Sequence, residues 1–275
     1  MKKLIFDIGC NQGQNFEYFF KKSDYIVGIE ANPKLCKEIK KNFSNEIKEK
    51  KLIIVNKIIT NSNNTNQNFY ISKKKNVLSQ FGKPHKIKDF NKINVDSIRA
   101  SNLIKYYKNK FNIINPYYIK IDIEHHDWVV LKDLLDSNIY AEYISVEVQT
   151  PEVIHLILNS NYKSFKILEG NKELNDIYIR NKDNKKTKYT FDLHSSGPFG
   201  NDIPGNWLKK DDLLPYFLNH GLGWKDICCS RRIEEYQSRI YYNQKVHDQG
   251  FRYHLKKIFP SFLSMIKSRI KKLFQ

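Results

Sequence analysis

Cysteine, tryptophan and methionine are scarce in this chain, with four, three and two residues among 275. The cysteines, Cys10, Cys36, Cys228 and Cys229, show no metal-ligand spacing, and two adjacent ones cannot easily face one ion. No export signal accompanies them, so they read as reduced thiols of a cytoplasmic protein rather than a disulfide framework, and no metal is expected. Long apolar runs are missing too, and nothing approaches the roughly 20 residues a bilayer-crossing helix needs. The opening Met1-Lys2-Lys3-Leu4-Ile5-Phe6 imitates the start of a secretory signal, but Asp7 cuts the apolar stretch after three residues.

Acid is in short supply relative to base, 29 residues against 47, which leaves a formal net charge of +18. Such a balance suits nucleic acid, an anionic membrane surface or an acidic substrate. The chain is equally crowded with Asn and Ile, which share A/T-rich codons with Lys. Base composition alone can therefore raise the charge, and only its distribution carries information. A content of 40% hydrophobic and 13% aromatic residues excludes a disordered chain. The length allows one large domain, or one domain with an appendage.

The first 60 residues alternate between strand and helix patterns. Lys3 to Ile8 reads as a strand, Asn15 to Lys22 as a helix, and Tyr25 to Glu30 as a second strand. Pro33 opens a helix expected to reach Lys50, and Leu52 to Ile59 reads as one β-branched strand. Strands separated by helices argue for βαβ units and a parallel sheet. Gln67 to Ile71 is another strand, and the basic stretch from Ser72 to Asp89 a surface excursion. Tyr117 to Ile123 and Tyr143 to Val148 follow as strands, each with a helix behind it. Ser164 to Leu168 is expected to form a terminal hairpin with Asp176 to Arg180. The reading thus divides the chain into a sheet domain over 1–180, a loop-rich acceptor-binding extension or lid over 181–235, and a tail over 236–275. That tail, with Phe251, Leu255, Ile258, Phe262, Ile266, Ile270 and Leu273 near helical spacing among Lys and Arg, reads as a basic amphipathic helix. Packing on the domain, pairing with another subunit and lying on an anionic membrane all suit it.

Three clusters carry chemistry. Asp7-Ile8-Gly9-Cys10-Asn11-Gln12-Gly13 ends the first strand with a spacing unlike the Gly-x-Gly-x-x-Gly of nicotinamide sites. Glycine lets the backbone approach a ligand, and an acid there can meet the charged amino acid portion of S-adenosylmethionine. Glu30 ends the second strand before Ala31-Asn32-Pro33, where a carboxylate can accept both ribose hydroxyl protons. Ile119-Lys120-Ile121-Asp122-Ile123-Glu124-His125-His126-Asp127-Trp128 puts Asp122 and Glu124 on one side of a strand's carboxyl end. A base cluster, a metal site and a solvated helix cap all remain readings of that run.

These segments, with Ile144-Ser145-Val146-Glu147-Val148, resemble the FkbM-like S-adenosylmethionine-dependent methyltransferases in order and spacing over about 150 residues. The resemblance implies an α/β fold of the class I methyltransferase (Rossmann-like) type, a mostly parallel sheet with helices on both faces. It also implies O-methylation, often of sugars or natural-product hydroxyls. Asp7, Gly9, Asn11, Gly13, Glu30, Ala31, Asn32 and Asp122 are then the expected cofactor contacts. The run Ser195 to Leu208 looks like segments of surface-polysaccharide members. Where the family commonly has Glu-Gly, this chain has Glu124-His125, so the loop there is expected to differ. Asn115-Pro116-Tyr117-Tyr118 resembles the Asn-Pro-Pro-Tyr of amino-methylating enzymes, but it precedes its strand instead of following it.

A sugar hydroxyl must lose its proton as the methyl arrives, and a neutral histidine is the natural base. His126 is favoured over His125, with Asp122 or Glu124 orienting it. His194, Asn201, Asp202, Trp207 and Trp224 are candidates to close over the acceptor. The sequence reading is an O-methyltransferase acting on a sugar or small polar precursor of a surface polysaccharide, in the cytoplasm, with a tail able to hold it against the inner face of the membrane. Rival readings are a phosphorylated or nucleotide-linked acceptor, helped by Lys209, Lys210, Arg231 and Arg232, a nucleic-acid methyltransferase, and a non-catalytic binding protein.

Overall fold

A computed structural model describes residues 2–170, 174–192 and 195–235. The expected tail helix and His194 lie outside the described residues. No described helix is long and apolar enough to cross a membrane.

The first half is a run of strand–helix units: β1 (Leu4–Ile8), α1 (Phe16–Lys22), β2 (Tyr25–Ile29), α2 (Pro33–Asn42), α3 (Ser44–Lys48) and β3 (Leu52–Val55). Pro33 occupies the first turn of α2, and the Asn32 side chain accepts from the Lys34 N–H at 3.0 Å to cap it. The helix expected to reach Lys50 breaks at Phe43, whose ring is drawn inward against Phe16. The single strand expected over Leu52 to Ile59 is also two, β3 and β4 (Ile58–Thr60). Between them Asn56 leaves the ladder to donate its side-chain amide to the carbonyls of Glu30 and Ala31, at 2.9 Å each.

The basic excursion is more ordered than its composition suggests. Antiparallel β5 (Gln67–Ser72), β6 (Gln80–Phe81) and β7 (Phe90–Val95) form a small sheet of order β6-β5-β7. A two-stranded pairing of β4 with β8 (Ser97–Arg99) ties that sheet back to the main body. Then come α4 (Ala100–Phe111), β9 (Tyr118–Ile121), α5 (Asp127–Asp136), β10 (Tyr143–Glu147), α6 (Pro151–Leu158) and β11 (Ser164–Glu169).

The expected hairpin of β11 with residues 176–180 does not form. Instead β12 (Ile177–Arg180) pairs with β13 (Lys186–Tyr189) as a separate ribbon. After α7 (Lys210–His220), β14 (Lys225–Ser230) enters the main sheet between β10 and β11, antiparallel to both. Its Ile227-Cys228-Cys229 stretch is buried on both faces, so this central slot rather than an edge is where it is stable. The segment 181–235, expected as an extension, therefore supplies a strand of the sheet itself.

The seven-stranded order is β11-β14-β10-β9-β1-β2-β3, parallel from β10 through β3. Side chains alternate between two cores. Leu4, Phe6 and Ile8 of β1, with Ile119 and Ile121 of β9, pack under α4 to α7. Ile5 and Tyr118 pack on the other face with Phe16, Tyr18 and Phe19 of α1, where Phe199 stacks flat on Tyr118 at 3.8 Å. This α/β sandwich is the class I methyltransferase type, and its strand order reverses between β1 and β9, where open α/β sheets bind ligands at the carboxyl edge.

Candidate active site

A cavity of about 660 Å³ opens at that carboxyl edge, within the roughly 300–1,000 Å³ of small-molecule sites. Gly9 makes its floor. Its φ is +86°, and a Cβ there would overlap the carbonyl oxygen of Asp122, so the β1 turn and the β9 end touch backbone to backbone. The Gly9 and Cys10 N–H groups both donate to the Ile29 carbonyl at 3.0 Å. Asn11 follows with φ +47°, lines the cavity, and has its buried Oδ1 without a hydrogen bond.

Glu30 lies at the next strand end. Its Oε2 accepts from the Asn11 N–H at 3.0 Å and its Oε1 from the Asn32 N–H at 2.8 Å. Burial raises its pKa from 4.5 to about 7, against the pull of these donors. Ala31 lines the cavity beside it, as do Lys57, Ile58, Phe69, Val77 and Leu78 of the small-sheet side. The basic excursion thus walls one end of the cavity.

Asp7, Gly13 and Asn32 do not line the cavity. Asp7 is fully buried on the α1 face, and neither of its carboxylate oxygens has a hydrogen bond. The Lys120 ammonium stands 3.6 Å from Asp7 and 3.0 Å from Asp122. Burial alone would lower Lys120, but Asp122 and Asp7 outweigh it and hold it charged. Gly13, at φ +81°, closes the turn into α1 by donating to the Cys10 carbonyl at 2.7 Å. Asn32 is spent on capping α2. The three serve the shape of the site, whereas Gly9, Asn11, Glu30, Ala31 and Asp122 are brought to it.

The histidines separate. His125 lines the cavity, while its backbone N–H donates to Gln149 Oε1 at 3.1 Å. The favoured base, His126, turns away from the cavity lining. Its ring meets Phe81 edge-on at 5.0 Å, its Nε2 is buried without a hydrogen bond, and burial lowers its pKa. Glu124 and His125 have φ of +51° and +63°. The chain makes a left-handed turn here without glycine, a costly conformation for residues with a Cβ. Glu124 lines the cavity, accepts from Gln149 Nε2 at 3.1 Å, and is pushed up by burial.

Beyond them the cavity wall is acidic: Glu147 of β10, Glu169 at the end of β11 and Asp226 of β14, with Gln149, Gly170 and Trp224. The sequence reading assigned no role to Glu147, Gln149 or Asp226. Glu147 ends an apolar strand just as Glu30 and Asp122 nearly do, and that repeated pattern was the available signal. Asp226 had none, since nothing in Lys225-Asp226-Ile227 shows that it enters the sheet.

Of the proposed lid residues, Trp224 lines the cavity. Asp202 and Trp207 are buried in the body instead. Asp202 binds Lys22 at 2.7 Å, and Trp207 donates to Asn201 at 2.8 Å while stacking on Tyr143. Ser195 and Ser196 reach the cavity rim, held by Asn15. Asn115-Pro116-Tyr117-Tyr118 leads into β9 at the edge opposite the cavity, which rules out the amino-methylating arrangement.

No curated protein matches the sequence significantly. Among solved structures, an FkbM methyltransferase from Methylobacillus flagellatus KT aligns at 11% identity and TM-score 0.39, over 61% of this chain and 40% of its own. A putative RNA methyltransferase from Pyrococcus horikoshii aligns at 9% and 0.35, over 84% and 76%. Spermidine synthase from Thermotoga maritima aligns at 11% and 0.36, over 93% and 68%. The chain thus spans about two fifths of the length of the first of these. The model of the methyltransferase FkbM domain matches residues 7–167. That span runs from the end of β1 through most of β11 and covers more than half of the chain, which belongs to the FkbM methyltransferase family.

Proposed function

We propose that the protein transfers a methyl group from S-adenosylmethionine to a hydroxyl of a sugar or small polar precursor of a surface polysaccharide. The observation that carries the donor half is Glu30, held by two backbone N–H groups at the cavity edge with its carboxylate turned to where a ribose diol would lie. Three further features fit an adenosyl ligand. Gly9 leaves open the space a Cβ would fill, Asn11 offers a buried oxygen without a partner, and Asp122 presents a carboxylate suited to an ammonium. Bound there, the cofactor supplies a methyl group on a cationic sulfur that leaves as a neutral thioether.

The protein's own part is to position and to exclude water, which supplies much of the acceleration in such a displacement. Ile58, Phe69, Val77 and Leu78 offer an apolar slot beside Glu30 for a flat ring. Asp122, Glu124, Glu147, Glu169 and Asp226 make the other end acidic. Hydroxyl-rich neutral groups donate well to carboxylates, whereas a phosphate at that end would meet like charge. A neutral acceptor is therefore favoured over a phosphorylated one, although the chain as a whole is strongly basic.

Calorimetric titration with S-adenosylhomocysteine beside NAD tests the donor half, and only the first is expected to bind. Methyl uptake is then compared between neutral sugars and their phosphates. Binding of neither ligand removes the basis for the assignment, and preferential methylation of the phosphates overturns the acceptor reading.

A further inference from the structure

Glu147 and Asp226 are directly opposite each other across the antiparallel pair β10–β14. Opposed residues of such a pair hold their Cβ atoms roughly 5 Å apart. Both side chains lie on the α1 face of the sheet, because Val146 and Ile227 between them and the core point to the other. Both reach the same cavity. One row below, the same register runs Asp7–Lys120–Ser145–Cys228–Lys166, where the Lys120 ammonium is spent on Asp7 and Asp122 and the Lys166 ammonium on the Ile203 carbonyl. Among the described residues, Glu147 accepts a single hydrogen bond, 2.6 Å from Gln149, whose amide also serves Glu124.

The groups facing the two carboxyls are mostly acidic. Asp122 and Lys120 come from β9, Glu124 and Asp127 from the turn into α5, and Glu169 from β11, where it stands opposite Lys225. Burial first, then the Asp122 charge, raises the proton affinity of Glu147 and Asp226 alike. Two carboxyls so placed cannot easily both ionise.

We propose that Glu147 and Asp226 form a proton-sharing carboxyl pair that serves as the general base for the acceptor hydroxyl. The pair takes the place in the reaction that the sequence pointed to His126 for, and it rests on the methyl-transfer reading above. As the acceptor oxygen forms its bond to the methyl carbon and the carbon–sulfur bond breaks, the hydroxyl proton passes to the ionised member of the pair. The electrons of the broken bond stay on sulfur, which becomes neutral. The pair, briefly carrying both protons, returns one to solvent. A carboxylate of raised proton affinity is a stronger base than an ordinary one, which suits a weakly acidic hydroxyl.

The test uses purified protein, E147Q and D226N. Infrared difference spectra taken from pH 5 to 10 should contain a protonated carboxyl band that persists above pH 7 and is lost in E147Q. In D226N it should titrate at lower pH, because the neighbouring charge is gone. Calorimetry in buffers of different ionisation enthalpy supplies a second readout. S-adenosylmethionine, with its cationic sulfur, should expel protons on binding at pH 8, while S-adenosylhomocysteine should not, and E147Q should abolish the difference. With a neutral sugar that takes up methyl in the wild type, E147Q should turn over at least 100-fold more slowly at similar S-adenosylhomocysteine affinity. Absence of the high-pH band, or E147Q turnover within threefold of wild type, overturns the pair. Failure of the wild type to bind S-adenosylhomocysteine instead overturns the proposed function, and the infrared titration still decides whether the proton is shared.

Discussion

The buried and half-buried carboxylates of this protein include two kinds. Asp202 and Glu30 are saturated with donors, and Asp7, Glu147 and Asp226 are not. Asp202 receives the Lys22 ammonium at 2.7 Å, the Tyr18 hydroxyl at 2.8 Å and the Arg180 N–H at 3.0 Å. Glu147 has one amide donor, and no hydrogen bond orders Asp7. Burying a charge is costly unless it is paired and hydrogen-bonded, so saturation marks a group that holds the fold together. Deficit at the cavity, as at Glu147 and Asp226, marks a group kept for something not part of the chain, whereas Asp7, off the cavity, has the Lys120 ammonium 3.6 Å away. Asp202 fastens residues 199–203 to α1, away from the cavity, while the deficient carboxyls Glu147 and Asp226 face into it.

The largest expected effect breaks the saturated kind. Asp202→Ala removes the acceptor of three donors and leaves Lys22 buried, with only the Arg180 carbonyl to receive it. Breaking a buried pair from one side costs about 4 kcal/mol. For a chain of this size, that is a fall in melting temperature of roughly 10 °C. Thermal unfolding followed by circular dichroism measures it, and a fall under about 2 °C would mean that saturation is not what anchors the segment. S-adenosylhomocysteine affinity of the folded fraction should be nearly unaltered, since Asp202 does not line the cavity.

Glu30 joins the two kinds, because it is saturated by backbone N–H groups and also faces the cavity. Glu30→Gln replaces one accepting oxygen by an amide that confronts either the Asn11 or the Asn32 N–H. A buried donor left facing a donor costs about 1–3 kcal/mol, so S-adenosylhomocysteine affinity should fall roughly 10- to 100-fold. The pH dependence has two opposite senses. The folded pKa is raised from 4.5 to about 7, so the folded state binds the proton more tightly than the unfolded chain. Stability of the ligand-free protein is then favoured below 4.5 and declines as pH rises towards 7. Ligand affinity should run the other way, weakening as pH drops below 7, because ribose hydroxyls need the ionised form. Calorimetry at pH 6 and 8 checks the second trend and chemical unfolding at pH 5 and 7 the first. Both slopes should flatten in the variant.

How much of this was legible in the sequence follows a physical rule. β1, β2, β9 and β10 are apolar runs of four or five residues closed by glycine or an acid, and local pattern suffices to find them. One end of the cavity is built on two of those strand ends, and Gly9, Asn11, Glu30 and Ala31, which the sequence singles out there, line it. The acceptor end depends on contacts between residues far apart in the chain. Asp226 meets Glu147 only because β14 brings it into the sheet from 79 residues downstream, and a six-residue strand with two cysteines and an acid has no periodicity that announces its neighbours. His126 was favoured by chemistry alone. The direction its ring takes is set by Phe81, on a two-residue strand inside the basic excursion, and no local pattern encodes that contact.

The smallest effect sharpens the comparison most. Glu124 and His125 stand in the left-handed region with no glycine, at the point where the turn leaves β9 for α5. Left-handed geometry costs a residue with a Cβ roughly 1–2 kcal/mol, and part of that is returned as unfolded-chain entropy when glycine replaces it. His125→Gly should therefore stabilise the protein by about 0.5–1 kcal/mol, measured as a shift of the urea midpoint at constant slope. Among the described residues, the same variant removes the one histidine that lines the cavity. Were that imidazole the base, turnover would collapse while stability rose. If the carboxyl pair across β10 and β14 takes the proton, turnover should stay within about threefold and keep its dependence on pH. A strained histidine that can be lost at a gain in stability, beside carboxyls whose loss stops the reaction, would place the chemistry on the donor-poor acids.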